Sequence, residues 1–403
     1  MHLSYRDPEF WKNFRVNHWQ PKKPTVIRQP FRSFPFSEEL LFRAMANYEE
    51  RLQGGDQKIP CLVSVGDDVK APRRPLRKLF REKSETLEQL EQACVRAFPK
   101  QTFGLMVNDM QAVDPGIWNG VTAFLQDAHP WIGFPVPRSF LDLFYGNYSS
   151  SFTGIHKDTQ EIIAFVVRGE KRILAWPFDY FLSKVKGLGA GDRYFNKRLP
   201  VDYRKYRKDA LVLDAGPGDI IHWPSDYWHV AEPQPGRFTA MLSLGLTRPE
   251  NTRPPLQSGD MTYELDRRHG IAPYLRWLTG FGFELGSSTV QCERPRGNMT
   301  VKKNLSNVIV WKSDLPYHRL IVASNGHSVT LPRSAKMLSF LELIAQGESI
   351  SVCQLRASKG KSNLIETVWN YRRELKTRKL TSSGDQIVDL VYWLLRIGAL
   401  EMA

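Results

Sequence analysis

The chain has 403 residues, enough for two or three domains of ordinary size. Its 42% hydrophobic and 12% aromatic residues supply a sizeable core, and together with 24% charged residues they exclude disorder as the main state. Fifty-six Lys and Arg against 42 Asp and Glu give a net charge of +14, a balance that favours acidic partners such as RNA, ribonucleoprotein or an acidic peptide. No run approaches the roughly 18 apolar residues of a membrane span, so no membrane association is expected. The opening Met1–Asp7 has no apolar core of a secretory signal. Cys61, Cys94, Cys292 and Cys353 lie far apart with no CxxC spacing, which argues against a disulfide scaffold or structural zinc and for a cytoplasmic setting.

The first forty residues mix aromatics, prolines and bases, with Thr25 to Ile27 as a short strand. Apolar side chains at helical spacing mark 36–53, ended by Gly54-Gly55. A second helix covers 84–97, with Ser84 as the candidate N-cap and Leu87, Leu90, Cys94 and Ala97 along one face. Residues 103–107 read as a buried strand. From about 140 to 247 the texture changes to short β-type runs separated by Gly and Pro, the pattern of an antiparallel barrel or double-sheet jelly roll. A polar, basic insert over 184–208 interrupts them and reads as a loop over the barrel.

Arg248 to Pro255 forms a proline-rich break, taken as a boundary. Helical segments follow at 263–268 and 272–278. A hairpin turns at Ser324-Asn325-Gly326, between 320–323 and 328–331. Three helix-length segments (335–345, 362–375 and 386–395) then suit a small winged-helix domain.

The chemistry concentrates in the β-rich middle. His156 and Asp158 stand two residues apart, which on an extended backbone points both side chains to one side. His229 lies 71 residues after Asp158, beyond the turn Gly216-Pro217-Gly218-Asp219 and the strand that follows it. Two histidines and a carboxylate compose the facial triad of non-haem Fe(II) oxygenases. His222 is the rival third ligand; His229 is favoured because His222 sits inside a strand next to Trp223. A 2-oxoglutarate cosubstrate also needs a cation for its distal carboxylate. Lys171 opens the strand after Arg168-Gly169-Glu170 and is the candidate, with Arg168 and Arg172 as alternatives and the Thr153 hydroxyl as a helper.

Thr153-Gly-Ile-His156-Lys-Asp158, Gly169-Glu-Lys171-Arg172, Pro217-Gly218-Asp219 and Tyr227-Trp228-His229 together resemble JmjC-type 2-oxoglutarate oxygenases of the cupin fold. Within them the ribosomal oxygenases and the asparaginyl hydroxylase of the hypoxia-inducible factor are the nearest in layout. The resemblance implies an α+β chain built on a double-stranded β-helix (jelly roll). It makes His156, Asp158 and His229 the Fe(II) ligands and also the catalytic residues. Lys171 and Thr153 become cosubstrate residues, and Ser243 occupies the place of an asparagine near the cosubstrate. Ile162 stands where the asparaginyl hydroxylase has another asparagine. The implied reaction uses O2 and 2-oxoglutarate, releases succinate and CO2, and hydroxylates a side chain of a protein or peptide substrate; demethylation would follow the same route.

The implied layout is a JmjC domain over 1–250, a helical linker and dimerisation region over 251–303 (hence a homodimer), and a winged-helix-like domain over 304–403. That last segment holds 13 Lys and Arg against 8 Asp and Glu, including Lys359, Lys361, Arg372, Arg373, Lys376, Arg378 and Lys379. It reads as a module for nucleic acid or for a leader peptide. A peptide-natural-product tailoring hydroxylase, a small-molecule hydroxylase and a non-catalytic cupin scaffold are the alternatives.

Overall fold

The computed structural model describes residues 6–55, 59–66, 68–80, 84–135, 139–148, 153–232, 236–248, 271–296, 299–304, 307–352, 365–369, 375–379 and 385–403. The chain divides into two compact units, Met1–Met110 with Phe124–Leu256, and Gln111–Ala123 with Gln257–Ala403. No described helix is long and apolar enough to cross a membrane.

The first unit joins helices to antiparallel sheets. Its strands are β1 (Thr25–Ile27), β2 (Cys61–Val65), β3 (Asp68–Lys70), β4 (Phe103–Val107), β5 (Phe140–Gly146), β6 (His156–Lys157), β7 (Glu161–Arg168), β8 (Lys171–Pro177), β9 (Lys197–Arg198), β10 (Leu211–Ala215), β11 (Ile220–Trp223), β12 (Tyr227–Glu232) and β13 (Thr239–Leu246). An eight-stranded sheet runs β1-β11-β7-β13-β5-β4-β2-β3, and a five-stranded sheet runs β10-β8-β12-β6-β9. Side chains alternate faces along a strand, and one set from each sheet meets in a shared core. β7 gives Ile162, Ala164 and Val166, β8 gives Ile173 and Ala175, β10 gives Leu213 and Ala215, β11 gives Ile221 and Trp223, and β13 gives Met241. This inner face later carries the site.

The outer face of the larger sheet is sealed by aromatics. Phe165 on β7 has the rings of Phe36 and Phe124 each 5.0 Å away. The helix Glu38–Gln53 is capped by Ser37, whose hydroxyl accepts from Leu40 N at 3.1 Å. The helix over Leu87–Ala97 is capped by Thr86 rather than Ser84, because only the Thr86 hydroxyl reaches a first-turn amide, Gln89 N at 3.2 Å.

The outer face of the five-stranded sheet is covered by the insert. Leu174, Trp176, Trp228 and Val230 pack against Phe178, Phe181 and Leu199, joined by Val185, Leu188, Tyr203 and Tyr206. The insert is thus more than a loop: it is built of short 3-10 turns with a core of its own, and β9 pairs antiparallel with β6, His156 opposite Arg198 and Lys157 opposite Lys197.

In the second unit β14 (Thr300–Lys303), β18 (Ile350–Ser351) and β21 (Leu400–Met402) form one sheet in the order β18-β14-β21. A second runs β15 (Ile309–Asp314), β16 (Arg319–Ser324), β17 (His327–Pro332), β19 (Ile365–Trp369) and β20 (Leu375–Lys379). The β16–β17 hairpin turns at Asn325-Gly326, both with positive φ, as the two-residue Asn-Gly turn requires. Helices Ala335–Ala345 and Gln386–Arg396 pack Met337, Phe340, Leu341, Leu390 and Leu394 into the core of this unit.

The reading of 362–375 as a helix is corrected here, since Ile365–Trp369 is a strand that pairs with β17 and β20. Ile365, Thr367 and Trp369 alternate with polar Glu366 and with Val368, a β-branched and aromatic run that favours extended backbone. Among the described residues the three-helix basis of the winged-helix expectation therefore fails. Of the linker segment, the described part contains the helix Ala272–Thr279. The helix read at 263–268 lies outside the described residues, as do Lys359, Lys361, Arg372 and Arg373; Lys376, Arg378 and Lys379 lie on β20.

Candidate metal centre

β12 lies between β8 and β6 and aligns His229 with both Ala175 and His156. Asp158 follows β6 directly, so the i and i+2 positions deliver a nitrogen and an oxygen to the point where His229 arrives from the neighbouring strand. One ligand atom from each of His156, Asp158 and His229 lies within 4.8 Å of the others. The two imidazole centroids are 4.1 Å apart, and His229 Nε2 is 3.6 Å from Asp158 Oδ2.

Backbone carbonyls orient both rings. His156 Nδ1 lies 3.0 Å from Gly154 O, which leaves Nε2 for a metal; Gly154 makes the turn at φ +62°. His229 Nδ1 lies 3.5 Å from Tyr227 O. Burial, and then the neighbouring His156, holds His229 well below the ordinary imidazole range and so in the neutral, metal-binding form. Two imidazole nitrogens and one carboxylate this close together are a donor set that fits Fe(II).

His222 is not part of this group. Its neighbours Ile221 and Trp223 face the inner core, so His222 faces out, between Phe14 at 5.2 Å and Trp19 at 5.6 Å. Its Nδ1 lies 2.8 Å from Ile162 O.

Lys157, between His156 and Asp158, is fully buried, and its side chain alternates to the opposite face. Its ammonium donates to three carbonyls, Arg193 O at 2.6 Å, Asp158 O at 3.2 Å and Ser225 O at 3.3 Å. These bonds tie the ligand strand to the insert and to the turn that leads into His229. Burial pushes its pKa down to about 8.

Lys171 shares the inner face of β8 with Ile173 and Ala175, and is 4% exposed. Its ammonium donates to the hydroxyls of Tyr148 and of Thr239, the latter at 3.1 Å. It has no carboxylate partner among the described residues. The rival cations are engaged elsewhere, Arg168 with Glu91 and Glu38, and Arg172 with Asp214 and Glu232. A buried ammonium without a counter-charge is costly. Lys171 lies four residues along β8 from Ala175, the residue opposite His229, roughly 13 Å at strand spacing.

Thr153 is half-buried just before β6 and is not among the hydroxyls bonded to Lys171. Ser243 is buried on β13, on the same face as Thr239 and Met241, opposite Asp142 of β5 and Ala164 of β7. Asp142 accepts from Asn108 Nδ2 at 2.9 Å and Asp109 N at 3.1 Å, and burial, then Asp109, raises its pKa well above the carboxylate range. Tyr148, Thr239 and Asp142 escaped the sequence reading. Only the inner-face alternation Thr239, Met241, Ser243 could have drawn attention to the threonine. Asp114 and Trp118 have structural roles. Asp114 accepts from Gly116 N at 2.7 Å at the start of the helix Pro115–Ile132, and Trp118 is buried 6.1 Å from Phe283.

No family model and no curated protein sequence matches the chain. Among solved structures it is similar to ycfD of Escherichia coli, with 14% identity over 98% of each chain and a TM-score of 0.48. It is similar also to a structure described as YcfD, a ribosomal oxygenase from Escherichia coli, in complex with cobalt and 2-oxoglutarate, with 14% identity over 97% of this chain and 98% of that one and a TM-score of 0.44.

Proposed function

We propose that the chain is an Fe(II)- and 2-oxoglutarate-dependent oxygenase that hydroxylates a side chain of a protein or peptide, on a jelly-roll domain of the cupin type. The observation that carries this is Lys171, a buried ammonium with hydroxyl partners and no counter-ion among the described residues, on the same inner face that leads to His156, Asp158 and His229.

In this reading His156, Asp158 and His229 would hold Fe(II). When bound, the iron supplies the redox chemistry that couples 2-oxoglutarate decarboxylation to insertion of oxygen from O2 into a C–H bond. Lys171, Tyr148 and Thr239 grip the distal carboxylate of the cosubstrate. Ile162, Ala164, Ile173 and Met241 line the barrel with apolar groups that exclude water. Ser243 and Thr153 complete the cosubstrate-binding set in this reading. Residues 1–250 form the catalytic domain; 304–403, with their surplus of basic residues, form an accessory domain that favours a macromolecular substrate.

The test is anaerobic titration with Fe(II) and then 2-oxoglutarate. A visible charge-transfer band near ~530 nm is expected for a chelated 2-oxo acid on iron with open positions, and its loss in Asp158→Ala. Iron binding without the band would reject the cosubstrate, and absence of iron binding would leave a non-catalytic scaffold.

A further inference from the structure

Trp223 closes β11 and shares the inner face with Ile221. It is 3% exposed, its ring centroid lies 4.9 Å from that of the His229 imidazole, and it sits in register opposite Ile162, four residues beyond Asp158. Its Nε1 is closed to solvent and has no hydrogen-bond partner among the described residues. An indole N–H can only donate, so in the free protein this group has lost its water and gained nothing in return. The tryptophans of the facing sheet are treated differently. Trp176 Nε1 donates to Tyr206 O at 3.1 Å, and Trp228 Nε1 donates to Phe178 O at 3.0 Å. An isolated donor beside a metal ligand, on a wall otherwise made of Ile162, Ile221 and Ala175, suits an acceptor that arrives with a ligand.

We propose that the Trp223 indole N–H binds the metal-chelating carboxylate of a bound 2-oxo acid. It would form the near half of a two-ended grip whose far half is Lys171. The proposal rests on the oxygenase reading above. A carboxylate is favoured over a neutral carbonyl because an acceptor chelated next to His229 is anionic, and a hydrogen bond to a charged acceptor repays a buried donor best.

The experiment compares the wild type with Trp223→Phe, each loaded anaerobically with Co(II) and titrated with 2-oxoglutarate and with levulinate. Levulinate keeps the ketone and the distal carboxylate but carries a methyl group in place of the chelating carboxylate. The proposal expects unchanged Co(II) affinity, a 2-oxoglutarate Kd weakened about tenfold and an unchanged levulinate Kd. With Fe(II) in place of Co(II), it expects a displaced charge-transfer band. A 2-oxoglutarate Kd within about twofold of wild type overturns it. So does an equal loss for both acids, which would mark the ring as packing only. Replacing Trp223 by 3-benzothienylalanine, which swaps only the ring N–H for sulphur, repeats the comparison should the phenylalanine leave a cavity that disturbs folding. If the wild type loaded with metal binds no 2-oxoglutarate, the oxygenase reading itself falls, which is a different result from either variant outcome.

Discussion

Lys171→Met should move stability and binding in opposite directions. In the free protein the ammonium is buried, bonded to the hydroxyls of Tyr148 and Thr239, and without a carboxylate. Methionine fills nearly the same length with no charge to desolvate. Relief of an unpaired buried charge is worth on the order of 1 kcal/mol or more, against which two hydroxyls each lose one neutral partner. The expected net is a metal-free protein that melts no lower than the wild type, and up to ~4 °C higher for a unit of this size. In the loaded protein the same substitution deletes a charge-assisted contact worth about 1.5–3 kcal/mol, so the Kd for 2-oxoglutarate should rise about 10- to 150-fold. Differential scanning calorimetry with chelator present reads the first quantity, and calorimetric titration of the Co(II)-loaded protein reads the second. A variant that melts several degrees lower and keeps its affinity for 2-oxoglutarate would refute the reasoning on both counts, because Lys171 would then be a structural cation.

Two further outcomes follow from groups around the site. Burial holds His222 down to about 4 from an ordinary 6.5, so between those values the unfolded chain takes up a proton that the folded one refuses. Stability should therefore fall as pH drops from 6.5 towards 4, by about 1.4 kcal/mol per pH unit for this one group. His222→Asn, which retains a donor for Ile162 O, should flatten the slope by about one proton, and identical slopes in urea titrations across that range would contradict it. Lys157→Met would leave the carbonyls of Arg193, Asp158 and Ser225 without their shared donor. A loss of about 2–4 kcal/mol is expected, together with faster native-state trypsin cleavage within 193–198; unchanged cleavage would show that the insert is anchored by other contacts.

The parts of the site legible in the sequence are those encoded by local spacing. His156 and Asp158 needed only the two-residue period of a strand, and His229 only a turn that brings a later strand back. Lys171 was legible because it opens a strand right after a turn. Its hydroxyl partners were not, since Thr239 reaches it from β13 and Tyr148 follows β5, and no pattern in one segment reports which strands will be neighbours. Trp223 was hidden differently, being read only as the neighbour that made His222 a core residue. In the second unit, apolar residues over 362–375 invited a helix, but the alternation within 365–369 belongs to a strand, and short apolar runs carry both periodicities poorly.

The pairing of β9 with β6 has a consequence for engineering the chain. β6 is two residues long and without β9 would be the outermost strand of its sheet, exposing backbone donors and acceptors beside the candidate ligand His156. Lys197 and Arg198 therefore act as a selvedge that keeps the fabric from unravelling at the ligands. The stretch from Asp202 to Asp209, by contrast, is largely exposed apart from Tyr203 and Tyr206, which pack into the insert's core. Exchanging the exposed side chains of 202–209 while keeping Tyr203 and Tyr206 should leave that edge intact, whereas trimming back past Arg198 would uncover it at the candidate metal centre.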